Sequence, residues 1–323
     1  MLRVLLKKTL IESSLLWCFT AVTVFAFCWT RVWIVTRFEL HRFESFLDQL
    51  KQFEQFMPVP LEQVLTYKGS LALTFDEPVL ILCIMVWAIS RGSDVVSGEL
   101  SRGTLEMLLA QPISRGKLLG AHALICISGL ALLCTAAWLG LYAGIATNSV
   151  RETVSETTSW QIPLLNWEIP LHRPTDRTVS IPLIDRVDPA LFLSPCLNLF
   201  ALGLFIMALS TLCSCWDRYR WRTIGIVIGV YVVELLLFLL AKATPQTSFC
   251  YALTFFTLYQ PDGIVNILAV DGSATWHLWH PPSRFWPTPL GPLGVSLLLL
   301  FMASVCYAAA FIVFQRRDLP APA

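Results

Sequence analysis

The stretch Leu118–Ala146 reads LLGAHALICISGLALLCTAAWLGLYAGIA, and it decides which kind of fold this chain can adopt. It contains no Asp, Glu, Lys or Arg. A helix needs about 20 mainly apolar residues to cross the roughly 30 Å of hydrocarbon in a bilayer, and this run is longer than that. The stretch therefore predicts a membrane-spanning α-helix.

The composition of the whole chain extends that prediction. Of the 323 residues, 56% are apolar and 14% are charged, whereas a soluble domain has about 25% charged residues. The net charge of +1 gives no basic field for nucleic acid. Six runs are candidate crossings: residues 15–35, 78–96, 118–146, 190–212, 223–241 and 290–314. We predict an all-α polytopic membrane protein in which residues 1–323 form one transmembrane domain.

The orientation follows from the basic residues near the short connections, because cytoplasmic loops carry an excess of Lys and Arg. With the N-terminus inside, the basic residues of the inner segments are Arg3, Lys7, Lys8, Arg91, Arg102, Arg115, Lys117, Arg218, Arg220, Arg222, Arg316 and Arg317. Fewer acidic residues stand against them. We therefore predict a multi-pass protein of the cytoplasmic (inner) cell membrane with both termini in the cytoplasm. Residues Met1–Glu12 are predicted to form a short amphipathic helix on the membrane face.

Three outer loops are predicted, at residues 37–77, 147–189 and 242–289. The first contains an amphipathic helical pattern at residues 43–56, with an acidic polar face. The second repeats Ile-Pro-Leu, and prolines at this density exclude a central strand or a helix interior, so an extended, edge-like flap is expected. The apolar run at residues 247–259 is too short to span a bilayer and favours a re-entrant or interfacial segment.

The connection between the second and third crossings, Arg91–Lys117, has the pattern of a short helix with defined ends. An apolar stripe runs along it, formed by Leu105, Leu108 and Leu109. Pro112 ends the helix because a residue that precedes proline disfavours the α conformation.

The polar residues of this connection have helical spacing as well. In one continuous helix, Glu99, Arg102 and Glu106 would share a face. Such a helix at the membrane face suits a contact with another protein. An ordinary surface helix would have the same pattern, and the residues alone leave both interpretations open.

The order of residues in this connection resembles the signature of ABC-2 type permeases, the transmembrane subunits of ABC transporters. The matching positions are Ser97, Gly98, Glu99, Arg102, Gly103, Thr104, Leu105, Glu106, Leu108, Leu109, Pro112, Ser114 and Arg115. The order of crossings and the tail at residues 314–319 are also similar to this family, which includes the copper/nitrous-oxide-reductase maturation and sodium-export-like groups. The outer loops match no pattern of the family.

The resemblance implies a coupling helix, residues 99–111, that seats in a cleft of a separate ATPase subunit. The implied coupling residues are Glu99, Arg102, Gly103, Thr104, Leu105, Glu106, Leu108, Pro112 and Arg115. Glu99 and Arg102 would make polar contacts with the ATPase, and Gly103 would allow a close approach of the two backbones. Leu105 and Leu108 would fill an apolar groove.

The resemblance also implies that ATP chemistry takes place in a partner. The chain has no Gly-x-x-x-x-Gly-Lys-Ser/Thr motif, because Gly116 and Lys117 are followed by Leu118 and position 111 is glutamine. ATP and Mg²⁺ are therefore expected in an ABC ATPase subunit, with no cofactor and no catalytic residue in this chain. The helix at Met1–Glu12 would correspond to the elbow helix of the family.

Glu234 lies in the middle of the fifth predicted crossing. An ionisable residue there costs about 2.5–3.5 kcal/mol on insertion scales, and it marks a functional site by default. Two interpretations stay open. Glu234 is either a polar group at a permease interface or on the substrate path, or a carboxyl that is hydrogen-bonded to a neighbouring helix.

Two glycine pairs have the small-xxx-small spacing that permits close approach of membrane helices, Gly140–Gly144 and Gly225–Gly229. This spacing is compatible with a second permease chain, identical or different, as a partner.

These observations lead us to expect the permease subunit of an ATP-driven ABC transporter, with export as the direction that the resemblance implies. The alternatives are a secondary transporter, a non-transporting membrane anchor and an intramembrane enzyme. No His-Glu-x-x-His or Gly-x-Ser-x-Gly motif supports the enzyme. The matching, interrupted halves expected of many secondary transporters are not seen in the sequence. The sequence does not indicate the transported substrate.

Overall fold

The computed structural model describes residues 2–37, 66–109, 114–156, 159–162, 167–170, 175–243, 245–283 and 286–317. The amphipathic pattern at residues 43–56 lies outside this part of the chain, and so do Pro112 and the side chain of Glu106.

Six helical runs among the described residues are long and apolar enough to cross a membrane, which confirms the predicted number of crossings and the all-α membrane fold. The helices are α1 (Leu2–Arg37), α2 (Tyr67–Ala72), α3 (Pro78–Ser93), α4 (Glu99–Ser101), α5 (Thr104–Leu109), α6 (Arg115–Thr147), α7 (Leu193–Trp216), α8 (Arg220–Ala243), α9 (Pro261–Val270) and α10 (Pro292–Arg316). The second crossing runs from α2 to α4, and α1, α6, α7, α8 and α10 are the other five.

The two ends of the bundle differ in charge. Helices α1, α6 and α8 begin at the end where α7 and α10 finish. This end, which we call the basic end, carries Lys8, Arg102, Arg115, Arg220 and Arg317. We call the opposite end the distal end.

Helix α1 corrects one prediction. It is a single helix of 36 residues with no break after Glu12, so residues 2–12 are the first three turns of the first crossing and not a separate elbow helix. At 1.5 Å per residue such a helix is about 54 Å long, which exceeds the hydrocarbon thickness, so part of the helix extends beyond the hydrocarbon.

The predicted extended flap is a set of antiparallel ladders at the distal end. The strands are β1 (Ser149–Glu156), β2 (Ser159–Ile162), β3 (Trp167–Pro170) and β4 (Thr175–Pro182). Strand β1 pairs with β4, and β2 pairs with β3 between them in the sequence. Pro170 and Pro182 are the last residues of their strands, where a missing N–H disturbs a ladder least.

The residues after α8 do not form a seventh crossing in the described structure. They fold into two 3₁₀ segments, Pro245–Ala252 and Phe255–Leu258, followed by the short helix α9. The aromatic rings of this region pack edge-on against α8, as the 5.2 Å between the ring centroids of Phe256 and Tyr231 shows.

The helices are buried to very different extents. In the most apolar 18-residue stretch of the run that contains α7, 67% of the residues are buried, whereas only 11% are buried in that of α8. Helix α7 is therefore central and α8 is peripheral. Helices α1 and α6 pack closely because α6 presents glycines. A Cβ at Gly140 would lie 2.6 Å from the carbonyl oxygen of Phe25, and one at Gly144 would lie 2.7 Å from Val32.

A second, smaller apolar cluster closes the basic end. Its buried members are Leu5, Val95, Val96, Leu105, Leu118, Leu119, Ala121, Cys215, Ala310 and Phe314. They come from α1, α5, α6, α7, α10 and the turn after α3. This cluster fixes α5 against the ends of the membrane helices.

Candidate functional site

Helix α3 ends in a π-helical turn, Asp94–Gly98. Ser214 of α7 supports this turn, because its Oγ accepts hydrogen bonds from the backbone N–H of Val96 at 3.2 Å and of Ser97 at 2.9 Å. The same hydroxyl is 3.0 Å from the carbonyl oxygen of Ser93, to which it donates. Turns of this kind inside helices occur frequently at functional sites.

The predicted helix 99–111 is in fact two helices. Glu99–Ser101 continues the second crossing, the chain then turns at Gly103, and α5 begins at Thr104. Gly103 has φ +70°, a left-handed conformation that glycine adopts without steric cost. Glu99 and Glu106 therefore do not lie on one continuous helix, and the predicted shared face is wrong.

The space beside Gly103 is open. Among the described residues, no heavy atom lies within 4 Å of the position that its Cβ would occupy. The turn requires the left-handed backbone, and the close approach of an ATPase at Gly103 stays a prediction.

Glu99 makes its polar contacts within the chain. It is buried, with 7% of its surface exposed. Its carboxylate accepts hydrogen bonds from Lys8 Nζ at 2.9 and 3.1 Å, from Arg102 Nη2 at 3.1 Å and from the hydroxyl of Thr104. Glu99 thus ties α1 to the start of α5.

Asp94 is the second carboxylate of this site, and our sequence analysis did not select it. It is 5% exposed. Arg102 Nη1 lies 2.8 Å and Arg220 Nη1 lies 3.3 Å from its Oδ1, and Arg91 Nη1 lies 3.4 Å from its Oδ2. The spacing from Arg91 to Asp94 is i, i+3 and could have suggested a pair, whereas the contact with Arg220 depends on how α8 packs.

Arg102 joins the two carboxylates. Its guanidinium donates one hydrogen bond to Asp94 and one to Glu99. Burial alone would lower the pKa of this guanidinium, but the hydrogen bond and the negative charges of Asp94 and Glu99 raise it. We call Lys8, Arg91, Asp94, Glu99, Arg102 and Arg220 the charge cluster.

The apolar side chains of α5 divide into an inner and an outer set. Leu105 is fully buried in the second apolar cluster, the one at the basic end, and Leu108 packs at the margin of that cluster. Met107, which the sequence did not single out, is 72% exposed. The outward-facing apolar surface of α5 therefore includes Met107, while Leu105 anchors the helix to the bundle.

Arg115 and Ser114 lie where α6 begins. Arg115 donates hydrogen bonds from Nη1 to three carbonyl oxygens at the end of α10, those of Phe314 at 3.0 Å, Gln315 at 3.1 Å and Arg317 at 2.7 Å. A cation at the C-terminus of a helix also interacts favourably with the helix dipole. Ser114 occupies the N-cap position without a capping hydrogen bond from its side chain.

Glu234 contacts the 3₁₀ region after α8. Its carboxylate accepts a hydrogen bond from the backbone N–H of Phe255 at 3.2 Å, and its backbone oxygen accepts one from the hydroxyl of Thr254 at 3.0 Å. Of the two interpretations left open by the sequence, this geometry favours the bonded carboxyl. Its partner is the start of a short 3₁₀ segment and not a neighbouring membrane helix.

An apolar groove of about 710 Å³ lies between α3 and α8. Asp76 lies at its distal end, and Ser90 lies at its basic end. Aliphatic and aromatic side chains, including Met85, Tyr231 and Phe238, line most of the wall. Its chemistry suits an apolar or amphiphilic molecule. No group of three or more His, Cys, Asp or Glu residues in the described part of the chain could hold a metal ion.

Comparison with known proteins agrees with the architecture. A family model described as ABC-2 family transporter protein matches residues 7–169. This range includes α1 from residue 7 onward, α5, α6 and the charge cluster except Arg220. No curated protein matches the chain. The chain belongs to the ABC-2 transporter family, whose members are the membrane-spanning subunits of ABC transporters. It is therefore a multi-pass membrane permease subunit.

Proposed function

We propose that this permease is coupled to a separate ABC ATPase through α5 and that the assembly exports its substrate. The main support for the proposal is the position of α5, which lies in the segment that resembles the ABC-2 signature. It forms a short helix at the basic end, anchored by Leu105 and by the charge cluster, with Met107 facing outward. ATP and Mg²⁺ would be bound by the ATPase and not by this chain.

In this proposal the coupling residues have two roles. Met107 and the partly buried Leu108 form the apolar surface that contacts the ATPase. Glu106 and Pro112 are proposed as further contact residues on the basis of the family resemblance alone. Glu99, Arg102, Gly103, Thr104 and Leu105 hold α5 in place from within the bundle, as their contacts and backbone geometry support. Arg115 holds the start of α6 beside the end of α10.

The proposed orientation places the basic end in the cytoplasm of a cell with an inner membrane. Two carboxylates of the charge cluster face four cationic side chains, and Arg115 and Arg317 add to the positive charge. An excess of Lys and Arg is typical of the cytoplasmic side. Both termini would then be cytoplasmic.

A second permease chain, identical or different, would complete the transporter. The peripheral helix α8 offers a surface for it, since no heavy atom of the described residues lies within 4 Å of the Cβ positions of Gly225 and Gly229. The Gly140–Gly144 pair is not available for this role because α1 already packs against it.

The test of coupling is the amount of ATPase that copurifies with a variant in which Met107 is charged. We expect Met107→Asp to reduce copurified ATPase at least about tenfold, which corresponds to about 1.4 kcal/mol, because it places a charge in an apolar contact. Val270→Asp is the matched control, since Val270 is 92% exposed at the distal end. Equal recovery of ATPase with both variants would refute the contact.

A further inference from the structure

The charge cluster connects α5 to two membrane helices by different side chains. We propose that Lys8 carries a displacement of α5 to α1 and that Arg220 carries it to α8, so that the two helices respond through separate ion pairs. This inference rests on the proposed coupling of α5 to an ATPase and names residues that transmit its effect.

The first connection runs from α5 to α1. Thr104, the first residue of α5, donates hydrogen bonds to the backbone oxygen and to the carboxylate of Glu99. Lys8 of α1 lies 2.9 Å from the same carboxylate. Any shift at the start of α5 therefore moves the acceptor to which α1 is bound.

The second connection runs from α5 to α8. Arg102, two residues before α5, bridges Glu99 and Asp94. Asp94 in turn forms an ion pair with Arg220 at the start of α8. Arg220 also donates to the backbone oxygen of Ser90 at 3.2 Å and to the hydroxyl oxygen of Ser93 at 3.4 Å. It therefore joins the start of α8 to three residues of the second crossing.

The placement of these ion pairs makes them suited to transmission. Both carboxylates are buried, so salt and water screen their interactions less than those of surface pairs. The backbone around them is not uniform helix, because the π-helical turn and the left-handed Gly103 flank Glu99 and Arg102. We therefore expect rearrangement to be localised to this irregular backbone between α3 and α5.

The two connections, from α5 to α1 through Lys8 and from α5 to α8 through Arg220, can be removed one at a time. Lys8 and Arg220 are each about one-third exposed at their side chains, so their replacement leaves the apolar core intact. Lys8→Met removes the contact with α1 and keeps Arg220, whereas Arg220→Met does the reverse. Arg316→Met is the matched control, because Arg316 is an exposed cation at the same end with no ion pair among the described residues.

The experiment uses the full permease purified with its ABC ATPase in lipid nanodiscs. Hydrogen exchange is measured in residues 3–12 of α1 and 220–226 of α8, with and without ATP and vanadate. In the wild-type complex we expect exchange to change in both segments. We expect Lys8→Met to abolish the change in α1 alone and Arg220→Met to abolish it in α8 alone. Lys8→Arg and Arg220→Lys should restore the responses, since they restore the charges.

The outcomes separate this inference from the proposal on which it rests. If no ATPase copurifies with the wild-type chain, the coupling proposal fails and this inference falls with it. If the ATPase binds and hydrolyses ATP but both Met variants keep both exchange responses, only the proposed transmission through the two ion pairs is wrong. Loss of both exchange responses in either Met variant also overturns this proposal, because the two connections would then not be separate.

Discussion

At the residue scale, Gly103 shows how one backbone conformation determines the geometry of the coupling region. Its positive φ ends the second crossing and allows α5 to start in a new direction. This turn brings the hydroxyl of Thr104 back onto Glu99, and it places Arg102 where it reaches Asp94. The charge cluster therefore depends on the turn as well as on the charges.

We predict that Gly103→Ala destabilises the chain by about 1–2 kcal/mol, because an L-residue in the left-handed region brings its Cβ close to the following carbonyl oxygen. Chemical unfolding in detergent micelles measures the change. Gly120→Ala in α6 is the control, since its Cβ would also meet no atom of the described residues within 4 Å but its backbone is helical. That control should be neutral or slightly stabilising. Similar losses in both variants would show that the turn is not the cause.

At the element scale, two glycine pairs of identical spacing have different surroundings. The pair in α6 lies against α1, with Val32 at 2.7 Å from a Cβ at Gly144. In the part of the chain that the structure describes, the pair in α8 has no neighbour within 4 Å of its Cβ positions. The spacing permits close packing in both helices. Which helix uses it within the chain is decided by the packing of the bundle.

The difference predicts opposite results for two leucine substitutions. Gly144→Leu should destabilise the monomer by about 1–3 kcal/mol, because the larger side chain overpacks the contact between α1 and α6. Gly229→Leu should leave the monomer as stable as the wild type. Thermal unfolding followed by tryptophan fluorescence measures both. A loss of stability in Gly229→Leu similar to that in Gly144→Leu would contradict the observed packing.

At the scale of the whole molecule, the bundle separates charge between its ends. The charge cluster and the helix-end arginines collect at the basic end, while the ladders and the 3₁₀ region form the distal end. This separation is the basis of the proposed orientation, because the cytoplasmic side of membrane proteins is enriched in Lys and Arg.

Cysteine labelling of intact cells tests the orientation. Ser273→Cys lies at an exposed distal position and should react with a membrane-impermeant maleimide from outside. Lys117→Cys lies at an exposed position of the basic end and should react only after the cells are permeabilised. The wild-type chain, whose ten cysteines are mostly in membrane helices, provides the background signal. Reaction of Lys117→Cys in intact cells would reverse the proposed orientation.

The sequence by itself determined the number of crossings, the membrane class and the segment to which the proposed coupling belongs. Membrane insertion depends on the apolar content of each run, and that content is local information. Even the break at Gly103 had a local signal, since glycine inside a helix costs about 1 kcal/mol relative to alanine.

Only the tertiary structure decided how these parts meet. In the folded chain, Asp94 contacts Arg220 and Ser214 supports the π-helical turn. Leu105 is buried while Met107 is exposed, and the Glu234 carboxylate accepts a hydrogen bond from Phe255. Each contact joins side chains or backbone groups whose proximity depends on helix packing, which spacing along one helix does not specify. The apolar run at Leu118–Ala146 therefore predicted a crossing, and its glycines gained a defined neighbour only when α1 packed against them.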